Sequence, residues 1–187
     1  LYPACGDGAD YAEMLSLLAP AIHAADHGTK VLIGGVAYDW FQEDEGPFLR
    51  SFLGDTLSAL NQYPGGAAAY IDAVAFHYYP INAEWPTIRE KTAEIQGIMD
   101  AHGVSKLPLI CPEMGYWSSP NHGSSLERQA QRVVQMYTRG LSKSILFSSW
   151  YKVFDRVVAG SPEDLYPDRT AGLLDVDRNP KPSYYAY

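Results

Sequence analysis

Two cysteines in 187 residues are too few for a disulfide framework. Cys111 lies inside an apolar run and reads as a buried thiol. Cys5 lies in a Gly-rich opening loop, and a Cys5–Cys111 bridge is not expected. Positive charge is also scarce: 14 Lys and Arg stand against 22 Asp and Glu, a net −8. A phosphate-backbone partner needs clustered basic residues, so no nucleic acid is expected. No apolar run approaches the ~20 residues that span a bilayer, so no membrane partner is expected either. The opening "LYPACGDG" lacks an initiating Met and any leader pattern, and reads as a processed product or a fragment. His23, His27, His102 and His122 show no metal-ligand spacing. "IGG" at 33–35 is too short for a phosphate loop, and Gly-x-Ser-x-Gly does not occur. Neither a metal nor a cofactor is expected.

What is abundant is aromatic: 14 Tyr, 6 Phe and 4 Trp, 13% of the chain. A large core and a ring-lined cleft for sugar-like faces both fit that excess, and composition does not choose between them. The chain is 47% hydrophobic and 19% charged, which suits one globular domain over 1–187.

Apolar spacing predicts a first helix from Asp10, as N-cap, to a stop at Gly28, with Tyr11, Met14, Leu15, Leu18 and Ile22 on one face. Strands are expected at 31–37, 71–78, 107–115 and 144–151. Helices are expected at 47–62, at 84–103 and at 124–143, the last with Ala130, Val133, Val134, Tyr137 and Leu141 on one face. "NPKPSYYAY" reads as the start of one more helix. Alternation at this spacing means right-handed βαβ crossovers and a parallel sheet, an α/β fold.

Side-chain parity places the chemistry. On the second strand Ala73, Ala75, His77 and Tyr79 share a face; on the third, Leu109, Cys111 and Glu113; on the fourth, Leu146, Ser148 and Trp150. Each strand thus ends in a polar or aromatic group, at the end where parallel α/β proteins place their sites. In "LPLICPEMGYWSSP" a buried-looking strand runs straight into Glu113, with Trp117 close behind. A carboxylate among His, Tyr and Trp suits a positively charged, sugar-like transition state. Asp39 and Trp40, after the first strand, are further subsite candidates. Asp155 and Arg156, after the fourth, are candidates for rim contacts. Glu43, Asp44 and Glu45 read as a solvated charge run.

The segments "DAVAFHYYP", "LPLICPEMG", "SSWYKVFD" and "AGLLDVDRNPKPSYYAY" resemble strands six to eight and the start of helix eight of clan A retaining glycoside hydrolases. These are (β/α)8 (TIM) barrels such as cellulases, β-xylosidases and galactanases. The resemblance implies that Glu113 is the nucleophile, and that His77, Tyr79 and the strand-eight Trp150 contact the sugar. It implies a carbohydrate substrate, and a secreted or extracytoplasmic location is expected. It also implies that only strands five to eight are present, a half-barrel. The family's acid/base glutamate belongs to an Asn-Glu-Pro motif on strand four, and no Asn-Glu-Pro occurs here. The acid would then come from a complementary half-barrel chain, or a homodimer would close the ring. A catalytically silent sugar-binding or structural half-barrel is the alternative.

Overall fold

The computed structural model describes residues 7–37, 40–80, 87–156 and 167–187. Among the described residues, five helices, α1 (Gly8–Ala25), α2 (Phe52–Leu60), α3 (Ile88–Ala101), α4 (Leu126–Leu141) and α5 (Pro182–Ala186), alternate with four strands. The strands are β1 (Leu32–Ala37), β2 (Ala73–Tyr78), β3 (Leu109–Met114) and β4 (Phe147–Trp150). They form one parallel sheet in the order β1-β2-β3-β4. Consecutive parallel neighbours joined by helices are what βαβ crossovers produce. Two compact units divide the chain: Leu1–His77 with Glu90–Ile110, and Tyr78–Arg89 with Cys111–Tyr187.

In the first unit, α1 starts one turn before the position read from sequence. Its N-cap is Asp7, whose side chain accepts from the N–H groups of Ala9 and Asp10, while the Asp7 N–H donates to the Asp10 carboxylate. That reciprocal box satisfies donors a helix start otherwise leaves open. The buried face also differs from the expected one. Gly8, Ala12, Leu15 and Ala19 are buried, whereas Met14, Leu18 and Ile22 are exposed. The cause is close packing on α2: a Cβ on Gly8 would lie 2.7 Å from the Thr56 nitrogen. Small residues win that face, and the larger ones are left outside.

β1 pairs with β2 through Leu32–Ala73 and Ile33–Val74, then resumes at Val36–Phe76. The extra residue is absorbed at Gly34–Gly35, a bulge that glycine tolerates at little steric cost. β2 is the most enclosed strand, with only His77 of its six residues not fully buried. At its start Asp72 accepts from the Val31 N–H at 2.9 Å, His23 Nε2 at 2.9 Å and Lys30 Nζ at 3.1 Å.

In the second unit, α4 buries Gln129, Val133, Met136 and Gly140, while Val134 and Leu141 of the expected face are exposed. Gln129 is fully buried and explains the rotation of the helix. Its Nε2 donates to the carbonyls of Tyr116, Thr170 and Gly172 at 2.9–3.2 Å, and its Oε1 accepts from Ser183 of α5 at 2.9 Å. A buried amide so tied costs little, and untied it would cost ~1–3 kcal/mol. Beside it, Lys181 donates to both carboxylate oxygens of Asp155, at 3.0 and 3.1 Å, and to the Thr170 carbonyl at 3.0 Å. Residues 170–174 therefore form a strap that runs along 152–156.

Candidate active site at the end of the third strand

Glu113 is the fifth residue of β3, and the two-residue period puts it on the face of Cys111, which is fully buried. The Cys111 thiol donates to the Glu113 carbonyl at 3.5 Å. Glu113 itself is half-buried, at the strand's C-terminal end. Its Oε1 accepts a 2.5 Å hydrogen bond from the Tyr79 hydroxyl. Burial, and then the bond to Glu113, push the Tyr79 hydroxyl far above its ordinary range. The phenol therefore keeps its proton and stays a donor. A hydrogen bond to a charged partner of this kind contributes ~1.5–3 kcal/mol.

Gly115 makes this corner. A Cβ there would lie 2.4 Å from the Tyr151 carbonyl oxygen and 3.0 Å from Tyr79 Cε1. The close approach is locked by two backbone bonds, from the Gly115 N–H to the Tyr78 carbonyl and from the Tyr151 N–H to the Met114 carbonyl. The Tyr151 ring meets the Tyr79 ring edge to face, with centroids 6.2 Å apart at 84°. One carboxylate, one phenol donor and one further ring are thus gathered at the end of β3.

The structure buries Trp150, expected to contact the sugar, and Trp117, the substrate-binding candidate behind Glu113. Trp150 is only 7% exposed, and its indole N–H donates to the Ala171 carbonyl at 2.9 Å. Its ring is part of the core under the strap. Trp117 is 5% exposed, stacked on Tyr116 at 4.9 Å and 12°, with its N–H donated to the His122 carbonyl. Neither offers a face to a ligand. The ring that sequence reading passed over is Tyr151, one residue after Trp150 and half-buried. Strand parity hid it: inside the expected strand 144–151 Tyr151 falls on the face opposite Trp150, whereas β4 ends at Trp150 and leaves Tyr151 outside the alternation. Asp155 is also corrected: its carboxylate is committed to Lys181 and the Gly172 N–H, not to a rim.

In the first unit, His77 is half-buried at the end of β2 and lies over the bulge of β1. A Cβ on Gly35 would fall 2.1 Å from His77 Nε2, so the bulge glycine makes room for the imidazole. Trp40 follows β1 and is exposed. Asp39 and Cys5 lie outside the described residues. Glu43 and Asp44 of the charge run face Arg50, at 3.2 and 4.0 Å. Among the described residues no group of three or more His, Cys, Asp or Glu side chains is placed to hold a metal ion, and no helix is long and apolar enough to cross a membrane.

No protein-family model matches the chain, and no curated protein matches its sequence. Solved structures do match its fold. The chain is similar to a family GH39 β-xylosidase from Caulobacter crescentus, with a TM-score of 0.65 and 21% identity over 97% of this chain and 36% of that one. It is similar to a glucosidase from Croceicoccus marinus, with a TM-score of 0.67 and 18% identity over 93% of this chain and 34% of that one. A family 17 β-1,3-glucanosyltransferase from Rhizomucor miehei matches with a TM-score of 0.57 and 20% identity, over 95% of this chain and 57% of that one. At these identities the likeness defines the fold: four parallel βα units of the kind that build TIM-barrel glycosidases. The chain spans about a third of the length of the xylosidase and the glucosidase it matches.

Proposed function

We propose that this chain carries the nucleophile-bearing part of a clan A retaining glycoside hydrolase acting on β-linked oligo- or polysaccharides. The observation that carries the reading is the 2.5 Å bond from the Tyr79 hydroxyl to Glu113 at the end of β3. In this reading Glu113 supplies the carboxylate that attacks an anomeric carbon. The phenol holds the carboxylate in place, and Tyr151 supplies the ring beside it. His77 is proposed as a partner for a sugar hydroxyl.

The reaction runs in two steps. Glu113 displaces the leaving group and forms a glycosyl-enzyme, while a carboxylic acid protonates the departing oxygen. Water, deprotonated by that same group, then releases the sugar with retention. The acid comes from outside these residues, on a complementary half-barrel or a second copy. The exposed Met14, Leu17, Leu18 and Ile22 on α1 support a reading in which something covers that face.

The test is a panel of 2-fluoro aryl glycosides, read by intact mass and peptide mapping. Their good leaving groups need little acid help, so the chain as it stands should acquire a sugar on the peptide bearing Glu113. Glu113→Gln should acquire none, and Tyr79→Phe should label about 10–100-fold more slowly. A folded chain that labels with no sugar would overturn the nucleophile and favour the silent sugar-binding alternative, which titration with the same sugars would then detect.

A further inference from the structure

α1 carries two apolar faces. Gly8, Ala12, Leu15 and Ala19 form the buried one, against α2. Beside it Met14, Leu17, Leu18, Ala21, Ile22 and Ala25 recur at helical spacing and make a second, continuous stripe. All of them are exposed, the large ones between 37% and 68%. Single exposed leucines are ordinary; a stripe of them along most of a helix marks an interaction surface.

The stripe's chemistry selects its partner. α1 contains no Lys or Arg, and the chain carries a net −8. A helix that lies on an anionic lipid surface needs basic residues along its polar face, so a membrane is a poor match. The stripe is convex and offers no hydrogen-bonding group to orient a small polar ligand. A second apolar helix face fits it, and another copy of the chain supplies one. Charge then sets the orientation. Asp10 and Glu13 stand at the N-terminal end of the stripe. From Met14 to Ala25 the one titratable side chain is His23, which Asp72 holds. Past the C-terminal end, Asp26 is turned onto its own loop, accepting from the Gly28 N–H and the Thr29 hydroxyl, while His27 and Lys30 are exposed. Parallel pairing would set Asp10 and Glu13 against their own copies. Antiparallel pairing brings them toward the second copy's Lys30 and opposes the two helix dipoles.

The neighbouring sheet edge is the weaker surface. The Asp72 N–H donates to the Val31 carbonyl at 2.7 Å, so alternation turns the Gly34 N–H away from β2. There it already donates to the Tyr11 hydroxyl of α1 at 2.8 Å. A strand added along β1 would have to displace that bond, whereas the stripe on α1 requires no exchange.

We propose that two copies of this chain associate through α1, antiparallel about a two-fold axis near Leu18, with Met14 of each copy against Ile22 of the other. The association does not depend on the glycosidase reading. The test is sedimentation equilibrium of the full chain from about 5 to about 500 µM. A single helix pair is a small interface, so a reversible dimer with a Kd of about 10–100 µM is expected. Leu18→Lys and Leu17→Lys should each weaken it about tenfold or more, and Leu141→Lys, an exposed leucine of α4, should not. The altered leucines are exposed in the single chain, so the variants should keep its fold, which circular dichroism checks. Chains carrying Met14→Cys and chains carrying Ile22→Cys, mixed under mild oxidation, should cross-link with each other at those positions, and neither with itself. A chain that stays monomeric at about 500 µM would overturn the proposal and leave the stripe to a different protein. A dimer that both lysine variants leave intact would also overturn it, in favour of strand pairing at β1. Self-cross-linking of Met14→Cys would overturn the antiparallel arrangement. Labelling at Glu113 tests the glycosidase reading by itself, so the failure of either leaves the other standing.

Discussion

Asp72 and Asp155 are held by nearly the same kinds of partner and respond in opposite directions. Each accepts from one backbone N–H, Val31 for Asp72 and Gly172 for Asp155, and each pairs with one lysine, Lys30 and Lys181. The Val31 bond leads in holding the Asp72 carboxyl down, to about 2 from an ordinary 3.8. Burial instead leads at Asp155 and raises its carboxyl despite Lys181. Lys181 is lowered for the same reason. The difference is water: Lys30 is largely exposed, whereas Lys181 is enclosed by the strap. An ion pair in the open adds a little stability. One under a strap is a commitment that fails badly when half of it is removed.

The comparison breaks most visibly at Lys181. Lys181→Met leaves Asp155 buried without its counter-charge and should cost ~3–5 kcal/mol in urea unfolding. The double change Asp155→Asn with Lys181→Met should regain part of that loss, because the buried charge is gone and the acceptor for the Gly172 N–H remains. Next comes Asp72→Asn, at ~1–2 kcal/mol at neutral pH, with a pH signature. A depressed carboxyl stabilises above its unfolded value and loses that contribution as pH falls from 3.8 to about 2. Wild-type stability measured by urea across that window should therefore fall more than that of Asp72→Asn. Asp155 works the other way: its raised carboxyl favours the folded state most below 3.8 and progressively less as pH rises. Removing it should make the profile climb more steeply above that pH. The smallest effect is expected for Lys30→Met, ~0.2–1 kcal/mol, and 1 M NaCl should shrink it further. A loss at Lys30 equal to that at Lys181 would mean that exposure does not divide the two.

Much of the architecture was legible because the two periods, 3.6 and 2, alternate cleanly along the chain. All four strands and the helices between them lie where the apolar runs place them. What sequence could not reveal is which face of a helix wins. α1 is apolar on more than one side, and its smaller side is chosen because Gly8 permits a closer approach to α2. α4 turns about Gln129, a residue whose hydrogen-bonding partners lie 13 to 54 positions away and leave no local signal. The candidate site divides along the same line. Glu113 was read by alternation within the third strand, and Tyr79 by the same alternation carried one residue past the second. Trp150 is buried because Ala171, far along the chain, takes its indole N–H, and Tyr151 drew no reading from the sequence. The partner of Asp155, Lys181, lies 26 residues on and equally out of sight.

The Cys111 thiol, buried two residues before Glu113, also makes the third strand self-reporting. A thiol reagent reaches it only when that strand end opens. Its modification rate, followed by peptide mass, then measures how often the floor beneath Glu113 comes apart in the native protein. A bound sugar that steadies the strand would slow that clock, a readout of occupancy that requires no turnover at all.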